Sequence, residues 1–444
     1  MHRLLPTSRR SHRRRALAAL LRPIGFVSVG ALGLPVAYLG VVSAAAVRSE
    51  RREHRARRSG DAADHGISAA PATRFAVLIP AHDEESVIEA TVRALVEQRY
   101  ANEDFSVHVV ADNCTDATAD VARRAGADVH ERDDPDDPGK GSALNWLYRM
   151  VGIDEYDAVV VVDADTIAAP DFLLELHAAF ASGADVVQGD YGVLDPARST
   201  AVGLRYAALA CRHRLRPLGR RALGCSCGLY GNGMAFRSHV VADRAWSGHL
   251  VEDAQFQLDL LLDGLSVTYV PNARVEAEMP ATLDAALTQH QRWELGRWQI
   301  IKHYLPSLLR SALRPPTPAL RRRVYVDAVL DQIVPPLSVV AALSIVSLTT
   351  NVGAHALVPH RRTAVSVVLS VAGAACLGMH VVAGLLSADA PRSVWRSLAS
   401  APQLIVWKLL LFAGIARRPD GVTWTRTERN DEVHAVGTPI EGAR

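Results

Sequence analysis

The sequence predicts an α/β protein, a mostly parallel sheet with crossover helices, flanked in sequence by membrane-spanning helices. Three observations carry this. The centre of the chain alternates short apolar runs with stretches of helical spacing. Long uncharged runs occur only toward the two ends. Apolar residues make up 49% of the 444, high for a soluble enzyme.

Taken in order, residues 1–23 form a basic arm containing Arg9, Arg10, Arg13, Arg14 and Arg15. Residues 24–47 carry no charge, which is enough helix to cross about 30 Å of hydrocarbon. A cleaved signal peptide is the rival reading, because arginines precede the run and Ser43-Ala44-Ala45-Ala46 closes it. A signal core spans only about 7–15 residues, so a retained transmembrane helix is expected. Arginines flank it on both sides, Arg48, Arg51 and Arg52 among them, so the positive-inside rule leaves its orientation open. Residues 48–73 read as a linker.

From Arg74 the pattern changes. Phe75-Ala76-Val77-Leu78-Ile79 is a buried strand by its continuous apolar character, and Glu85 to Gln98 has helical spacing through Val87, Ala90, Leu95 and Val96. Ser106 to Val110 is the next strand, Asp116 to Ala125 the next helix, and Ala158 to Val162 another strand. Strands alternating with helices imply a parallel sheet, whose ligands sit outside the carboxyl ends of the strands. The soluble domain is expected over residues 74–298, followed by an amphipathic interfacial segment (299–328). A membrane region (329–416) then holds two spanning helices, 329–350 and 364–386. Its last stretch, 401–416, contains Lys408 and either lies in the interface or crosses partly. A polar tail (417–444) ends the chain. Asp331 suggests that the first of these spans starts later, and Pro335-Pro336 would kink it.

The formal net charge of +2 gives no argument for a nucleic-acid partner. The five cysteines, irregularly spaced, build neither a disulfide framework nor a zinc pattern. A reducing cytoplasm fits the central domain.

The chemistry lies at the strand ends. The first strand runs into Pro80-Ala81-His82-Asp83-Glu84, the second into Asp112-Asn113-Cys114, and the third into Asp163-Ala164-Asp165. Three acidic clusters on one sheet edge repel one another unless a cation or ligand donors relieve them. Asp163-x-Asp165 has the chemistry of a Mg²⁺ or Mn²⁺ site, since such ions take one or two carboxylates plus substrate phosphates, and the ion would make a diphosphate a better leaving group. The plainer reading is that Asp is common in turns after strands; three in register favour the site. Pro138-Gly139-Lys140-Gly141-Ser142 fails as a phosphate loop, because Asp134 stands where the first glycine is needed, yet Lys140 remains a point charge for a phosphate. No dinucleotide glycine fingerprint follows the first strand.

Glu252-Asp253 opens a helix ending near Leu262. Asp253 is either a helix cap or a general base for an acceptor hydroxyl. In Gln289-His290-Gln291-Arg292-Trp293, a planar cation beside an aromatic face suits phosphate and sugar. An amphipathic helix on a membrane would look the same.

The series Asp112, Asp163-x-Asp165, Glu252-Asp253 and Gln289-x-x-Arg292-Trp293 resembles the D, DxD, ED, QxxRW signature of family 2 glycosyltransferases of the cellulose, chitin and hyaluronan synthase type. The match covers roughly 74–298 in the family's order. The resemblance implies a GT-A fold and an inverting, metal-dependent transfer of a sugar from a UDP-sugar or other nucleotide-diphosphate sugar. The product would be a β-linked poly- or oligosaccharide; the alternative is addition of one sugar to a membrane lipid, as in ceramide glucosyltransferase-like proteins. It implies that Pro80, Glu84 and Asp112 hold base and ribose with Lys140 nearby, that Asp163 and Asp165 meet the diphosphate through Mg²⁺ or Mn²⁺, and that Asp253 is the base. Gly231-Asn232-Gly233 resembles the acceptor-side loop, and Glu252, Gln289, Arg292 and Trp293 would serve diphosphate and acceptor. Trp424-Thr425-Arg426 resembles a C-terminal gating element. Asp83 stands where the family more often has Asn. Because nucleotide sugars are cytoplasmic, the expected setting is the cell membrane with the catalytic domain inside.

Overall fold

The computed structural model describes residues 7–59, 72–247, 251–282, 287–317 and 320–417. The gating-like Trp424-Thr425-Arg426, most of the polar tail and much of the 48–73 linker lie outside these residues. Eight strands, β1 (Phe75–Ala81), β2 (Phe105–Asp112), β3 (Asp128–Arg132), β4 (Ala158–Val161), β5 (Thr166–Ala168), β6 (Val186–Val193), β7 (Met234–Arg237) and β8 (Val267–Ala277), form one sheet. Its order is β3-β2-β1-β4-β7-β6-β8-β5. The helices up to the sheet's last strand are α1 (Thr7–Ser59), α2 (Ile88–Val96), α3 (Thr118–Ala125), α4 (Lys140–Val151), α5 (Phe172–Ala181), α6 (Thr200–Leu209), α7 (Arg216–Ala222), α8 (Ser238–Val241) and α9 (Glu252–Leu262). After it come α10 (Leu287–Leu313), α11 (Arg322–Ile333), α12 (Leu337–Leu357), α13 (Arg361–Ser387), α14 (Arg392–Ser397) and α15 (Ala401–Arg417).

The continuous apolar character of β1 has a direct cause, since both of its faces are covered. Phe75, Val77 and Ile79 pack with Ile88 and Leu95 of α2 and Phe172 of α5. Ala76 and Leu78 pack the other way, with Leu144 and Leu147 of α4 and Leu260 of α9. Each of the larger of these side chains, Ala76 aside, contributes about 1.5–3 kcal/mol by leaving water.

β1 pairs in parallel with both β2 and β4, so the chain winds outward through β2 and β3 and then returns past β1 to β4. That reversal is a topological switch point, where a crevice opens outside the carboxyl ends of the strands. The second half of the sheet departs from the parallel pattern read in the sequence. β7 is antiparallel to β4, with Met234 opposite Val161. Its direction places the residues just before Met234 beside those just after Val161.

Helices α1, α12 and α13 are long and apolar enough to cross a membrane. The uncharged run of residues 24–47 is the middle of a continuous 53-residue helix that takes in the arginines on both sides. Small and polar residues join the three helices. Asn351 donates to the carbonyl of Gly25 at 3.1 Å, and the Ser347 and Ser370 hydroxyls meet at 2.8 Å. The stretch expected to open at residue 329 is divided, with α11 ending at Ile333 and α12 starting at Leu337 just after Pro335-Pro336. Asp331 therefore stays in α11, where it pairs with Arg216 and, at 3.3 Å, Arg220 of α7.

Candidate active site

Asp163 lies two residues beyond the end of β4, and its backbone N–H donates to Asn232 Oδ1 at 3.2 Å. Asn232, fully buried, spends its remaining polar atoms on the same corner: Nδ2 donates to Thr166 Oγ1 at 2.8 Å, and its carbonyl accepts from Gln188 Nε2 at 2.8 Å. Gln188 Oε1 accepts the N–H of Tyr230 at 3.0 Å. The Gly231-Asn232-Gly233 loop is thus bolted to β4 and β6 through side-chain amides. Gly231 and Gly233 sit at φ of +80° and +64°, left-handed values that favour glycine. A Cβ on Gly233 would stand 2.7 Å from Val275 Cγ2, and one on Gly231 would stand 3.4 Å from Asp253 Oδ2.

Lys140, the first residue of α4, closes the corner. Its Nζ pairs with Asp163 Oδ1 and donates to the carbonyl of Gly231 at 2.6 Å. Burial pulls its pKa down, but Asp163, Glu252 and Asp253 outweigh that and hold it above its ordinary value. Asp253, in the first turn of α9, accepts the N–H of Ala254 at 2.8 Å. Burial, and then the neighbouring Glu252, raise its carboxyl to about 6 against the pull of Lys140 and Arg212. A carboxylate poised there can take a proton near neutral pH.

Asp112 ends β2, on the far side of β1 from β4. Strand spacing of about 4.8 Å puts it roughly 10 Å from the Asp163 corner. Its carboxylate binds Arg132 Nη1 at 2.6 Å, both side chains being buried, and its carbonyl meets His82 Nδ1 at 2.7 Å. Arg132 also holds Asp134 at 3.0 Å and Asp137 at 3.1 Å. Pro80 lies in β1 opposite Val110, and Glu84 is buried just beyond β1 with its N–H on Thr118 Oγ1 at 2.7 Å. The acidic edge is therefore neutralised in part by this chain's own cations, Arg132 at Asp112 and Lys140 at Asp163. Arg132 gave no signal in the sequence, because nothing local marks a strand-end arginine as the partner of an aspartate twenty residues earlier.

Half-buried Asp165, beside Asp163, adds a second carboxylate. Two hard oxygen donors one residue apart at a strand end fit a divalent cation. Another cluster, Asp83, Cys114 and Asp116, has ligand atoms within 4.8 Å of one another. It is occupied by turn structure: Asp83 Oδ1 accepts the N–H of Thr115 at 2.6 Å, and burial holds the Cys114 thiol up at about 11.

Gln289, Arg292 and Trp293 lie on α10. Gly296 of that helix has no room for a side chain, since a Cβ would stand 2.7 Å from Val251 Cγ1. This contact brings the helix against the residue preceding Glu252-Asp253. Gln289 Oε1 and Arg292 Nε are buried without hydrogen-bond partners among the described residues. The structure thus joins Lys140, Asp163, Gly231, Asn232, Glu252 and Asp253 in one corner at the strand ends, with Pro80, Glu84 and Asp112 on its β1–β2 side and the α10 residues against its α9 side.

Residues 71–296 match the family model described as glycosyltransferase like family 2. The chain is 26% identical over 253 residues to a probable glycosyltransferase, YdaM, of Bacillus subtilis, covering 53% of this chain and 58% of that one. It is 26% identical over 294 residues to an N-acetylglucosaminyltransferase of Rhizobium leguminosarum bv. viciae, covering 59% and 62%. It thus spans about 60% of the length of these relatives. A mannosyltransferase from Pyrobaculum calidifontis, solved with GDP-Man and Mn²⁺, superposes with a TM-score of 0.45 at 15% identity, over 84% of this chain and 98% of that one.

Proposed function

The chain belongs to glycosyltransferase like family 2, and from that premise we propose that its α/β domain is a catalytic domain of the GT-A class that transfers a sugar from a nucleotide-diphosphate donor to a glycan or lipid-linked acceptor at a membrane. The observation that carries this is the meeting of Lys140, Asp163, the Gly231 loop and Asp253 in one corner at the sheet's switch point.

In this reading the acceptor hydroxyl enters past Gly231, where the absence of a side chain leaves space in front of Asp253. Asp253 takes the hydroxyl proton as the new bond forms at the anomeric carbon. One base and no covalent intermediate invert the configuration, so an α-linked donor yields a β-linked product. Asp163 and Asp165 would hold Mg²⁺ or Mn²⁺, which when bound offsets charge on the departing diphosphate. Lys140 supplies a fixed positive charge at the same place, and Asp112 and Glu84 line the base and ribose side. Arg292 and Trp293 offer a planar cation and an aromatic face to diphosphate and acceptor.

A second reading, single transfer to a membrane lipid, is favoured by where α10 sits. It packs on α9, which carries Asp253, and on α15, which in turn packs on the apolar α12. This chain of contacts links the helix that carries Asp253 to the apolar α12, which supports an acceptor drawn from a membrane. A cytoplasmic location of this corner follows from donor supply.

The test is a panel of nucleotide sugars with Mg²⁺ and Mn²⁺ on the purified full chain, reading nucleoside diphosphate release and product length. Release with at least one donor is expected. A ladder of products supports extension and a single band supports transfer of one sugar. No release with any donor and either ion would sink the reading.

A further inference from the structure

The loop that carries Gly231 is also held from the side away from Lys140. Tyr230 directly precedes Gly231. Its ring stacks on that of His213, with centroids 4.2 Å apart and 23° between the planes, and its hydroxyl donates to the carbonyl of Arg212 at 3.3 Å. His213 stacks in turn on Tyr191 of β6, at 5.1 Å and 21°. His213 is 7% exposed, and its Nδ1 has no hydrogen-bond partner among the described residues. Burial, then the charge of Arg212, pushes its pKa down to about 3, so the ring is neutral near pH 7. What it offers its neighbours is flat surface, and stacking of this kind is favourable beyond the area it buries.

His213 stands on a π-helical turn, Ala210–Leu215, between α6 and α7. Such wide turns are rare and occur often at functional sites. This one is fastened to the apolar helix α13. A Cβ on Gly384 of α13 would stand 2.8 Å from Cys211 Sγ. Arg214 Nε donates to the carbonyl of Ser387 at 2.5 Å, and the Tyr206 hydroxyl to that of Ala388 at 2.6 Å, both at a helix end where carbonyls lack partners within the helix. Arg214 Nη1 also reaches Asp190 of β6 at 2.6 Å. Beyond the turn, Gly219 of α7 leaves no room for a Cβ against the Val42 carbonyl of α1.

We infer that His213 is a positioning residue: mounted on α13 and α1 through the π-helical turn, its ring holds Tyr230, and with it Gly231, in front of Asp253, so that the apolar helices set the entry for the acceptor. The acceptor's part in this rests on the transferase reading; the attachment of the loop does not. Lys140 and Asn232 still tie the loop to Asp163, so loss of the ring should fall on the acceptor and spare the donor.

The test first reads the loop with no sugar present. Hydrogen exchange on the full chain in detergent micelles follows the backbone amides of residues 229–234, with those of β1 as the reference for global opening. H213A is expected to speed exchange in the loop by about tenfold, the scale of one stacked pair, and to leave β1 unchanged. H213F keeps a flat ring and is expected to stay within about twofold of wild type. Y191L repeats part of the loosening from β6, should H213A fail to fold. With a donor active in the panel, H213A is then expected to raise the acceptor KM by about tenfold at an unchanged donor KM, and H213F to restore it. Unchanged loop exchange in H213A, or in Y191L where H213A does not fold, would overturn the inference. So would equal loosening in H213A and H213F, equal acceleration in β1, or a donor KM that rises with that of the acceptor. Absence of transfer with every donor tells against the transferase reading and leaves the exchange result standing.

Discussion

The ammonium group of Lys140 donates to the carbonyl of Gly231 at 2.6 Å while pairing with Asp163. One side chain at the start of α4 therefore fixes both the carboxylate proposed to meet the diphosphate and the loop proposed to admit the acceptor. Lys140→Met would loosen both. We expect a higher KM for the donor together with a lower kcat, and Lys140→Arg to recover little, because a planar fork does not replace a point charge in that corner. Steady-state kinetics with donor and acceptor varied separately checks this; loss confined to one substrate would break the link.

Asp253→Asn removes the proposed base. Transfer is expected to fall by roughly 10²–10⁴-fold, the usual contribution of general base catalysis, with nucleotide binding retained. Calorimetric titration with UDP beside a transfer assay separates the two effects. Full activity in this variant would take Asp253 out of the mechanism.

The same carboxyl predicts a pH dependence. Its native value of about 6 lies above the ordinary 3.8, so the rate is expected to drop about tenfold per pH unit below about 6, as the base becomes protonated. For stability the sign is opposite to that of a salt-bridged aspartate. The folded state holds the proton more tightly, so Asp253 favours folding below about 4, and that advantage is lost as pH rises through about 6. At pH 7 Asp253→Asn should therefore stabilise the protein, by up to about 3 kcal/mol, measured by thermal unfolding. A lower midpoint than wild type at pH 7 would contradict the stated environment.

Gly231→Ala forces an L side chain into φ +80° beside Asp253 Oδ2. The backbone cost is about 1–2 kcal/mol, and activity should fall further than stability because the added methyl occupies the acceptor's approach. Gly233→Ala meets Val275 instead and should lose mainly stability. Comparing unfolding midpoints with kcat/KM for the two variants tests the distinction.

Arg132→Met strands Asp112 as a buried carboxylate. A loss of about 3–5 kcal/mol is expected from an uncompensated buried charge, partly restored by Arg132→Met with Asp112→Asn. A double-mutant cycle on thermal stability measures it.

Chelation by EDTA is expected to abolish transfer, and Mg²⁺ or Mn²⁺ to restore it. Substituting Asn at both Asp163 and Asp165 should make the loss permanent. Undiminished transfer in EDTA would remove the ion from the reaction.

Much of the sheet's first half was legible in the sequence, because β1, β2 and β4 carry continuous apolar runs and end in, or within two residues of, an aspartate. The second half was not. β7 is four residues long and antiparallel, too short for a period to show. Yet it is the strand that carries the Gly231 loop to Asp163. The arginine partners of the acidic edge were equally silent: Arg132 and Arg212 stand among many arginines, and only a fold can say which one faces a carboxylate. Lys140 stood out between its glycines, and Lys408 as a charge inside an apolar run.

By itself the sequence determined the alternation of strand and helix, the apolar runs at either end, and the types and order of the residues at the strand ends, since these follow from local period and side-chain chemistry. The tertiary structure decided which of those residues meet. Whether Asp253 lies beside Lys140 depends on sheet order, on the antiparallel turn of β7 and on the close packing of Gly296 against Val251. Each of these joins segments far apart in the chain, and its energy comes from burial and hydrogen bonds that exist only once the chain has folded.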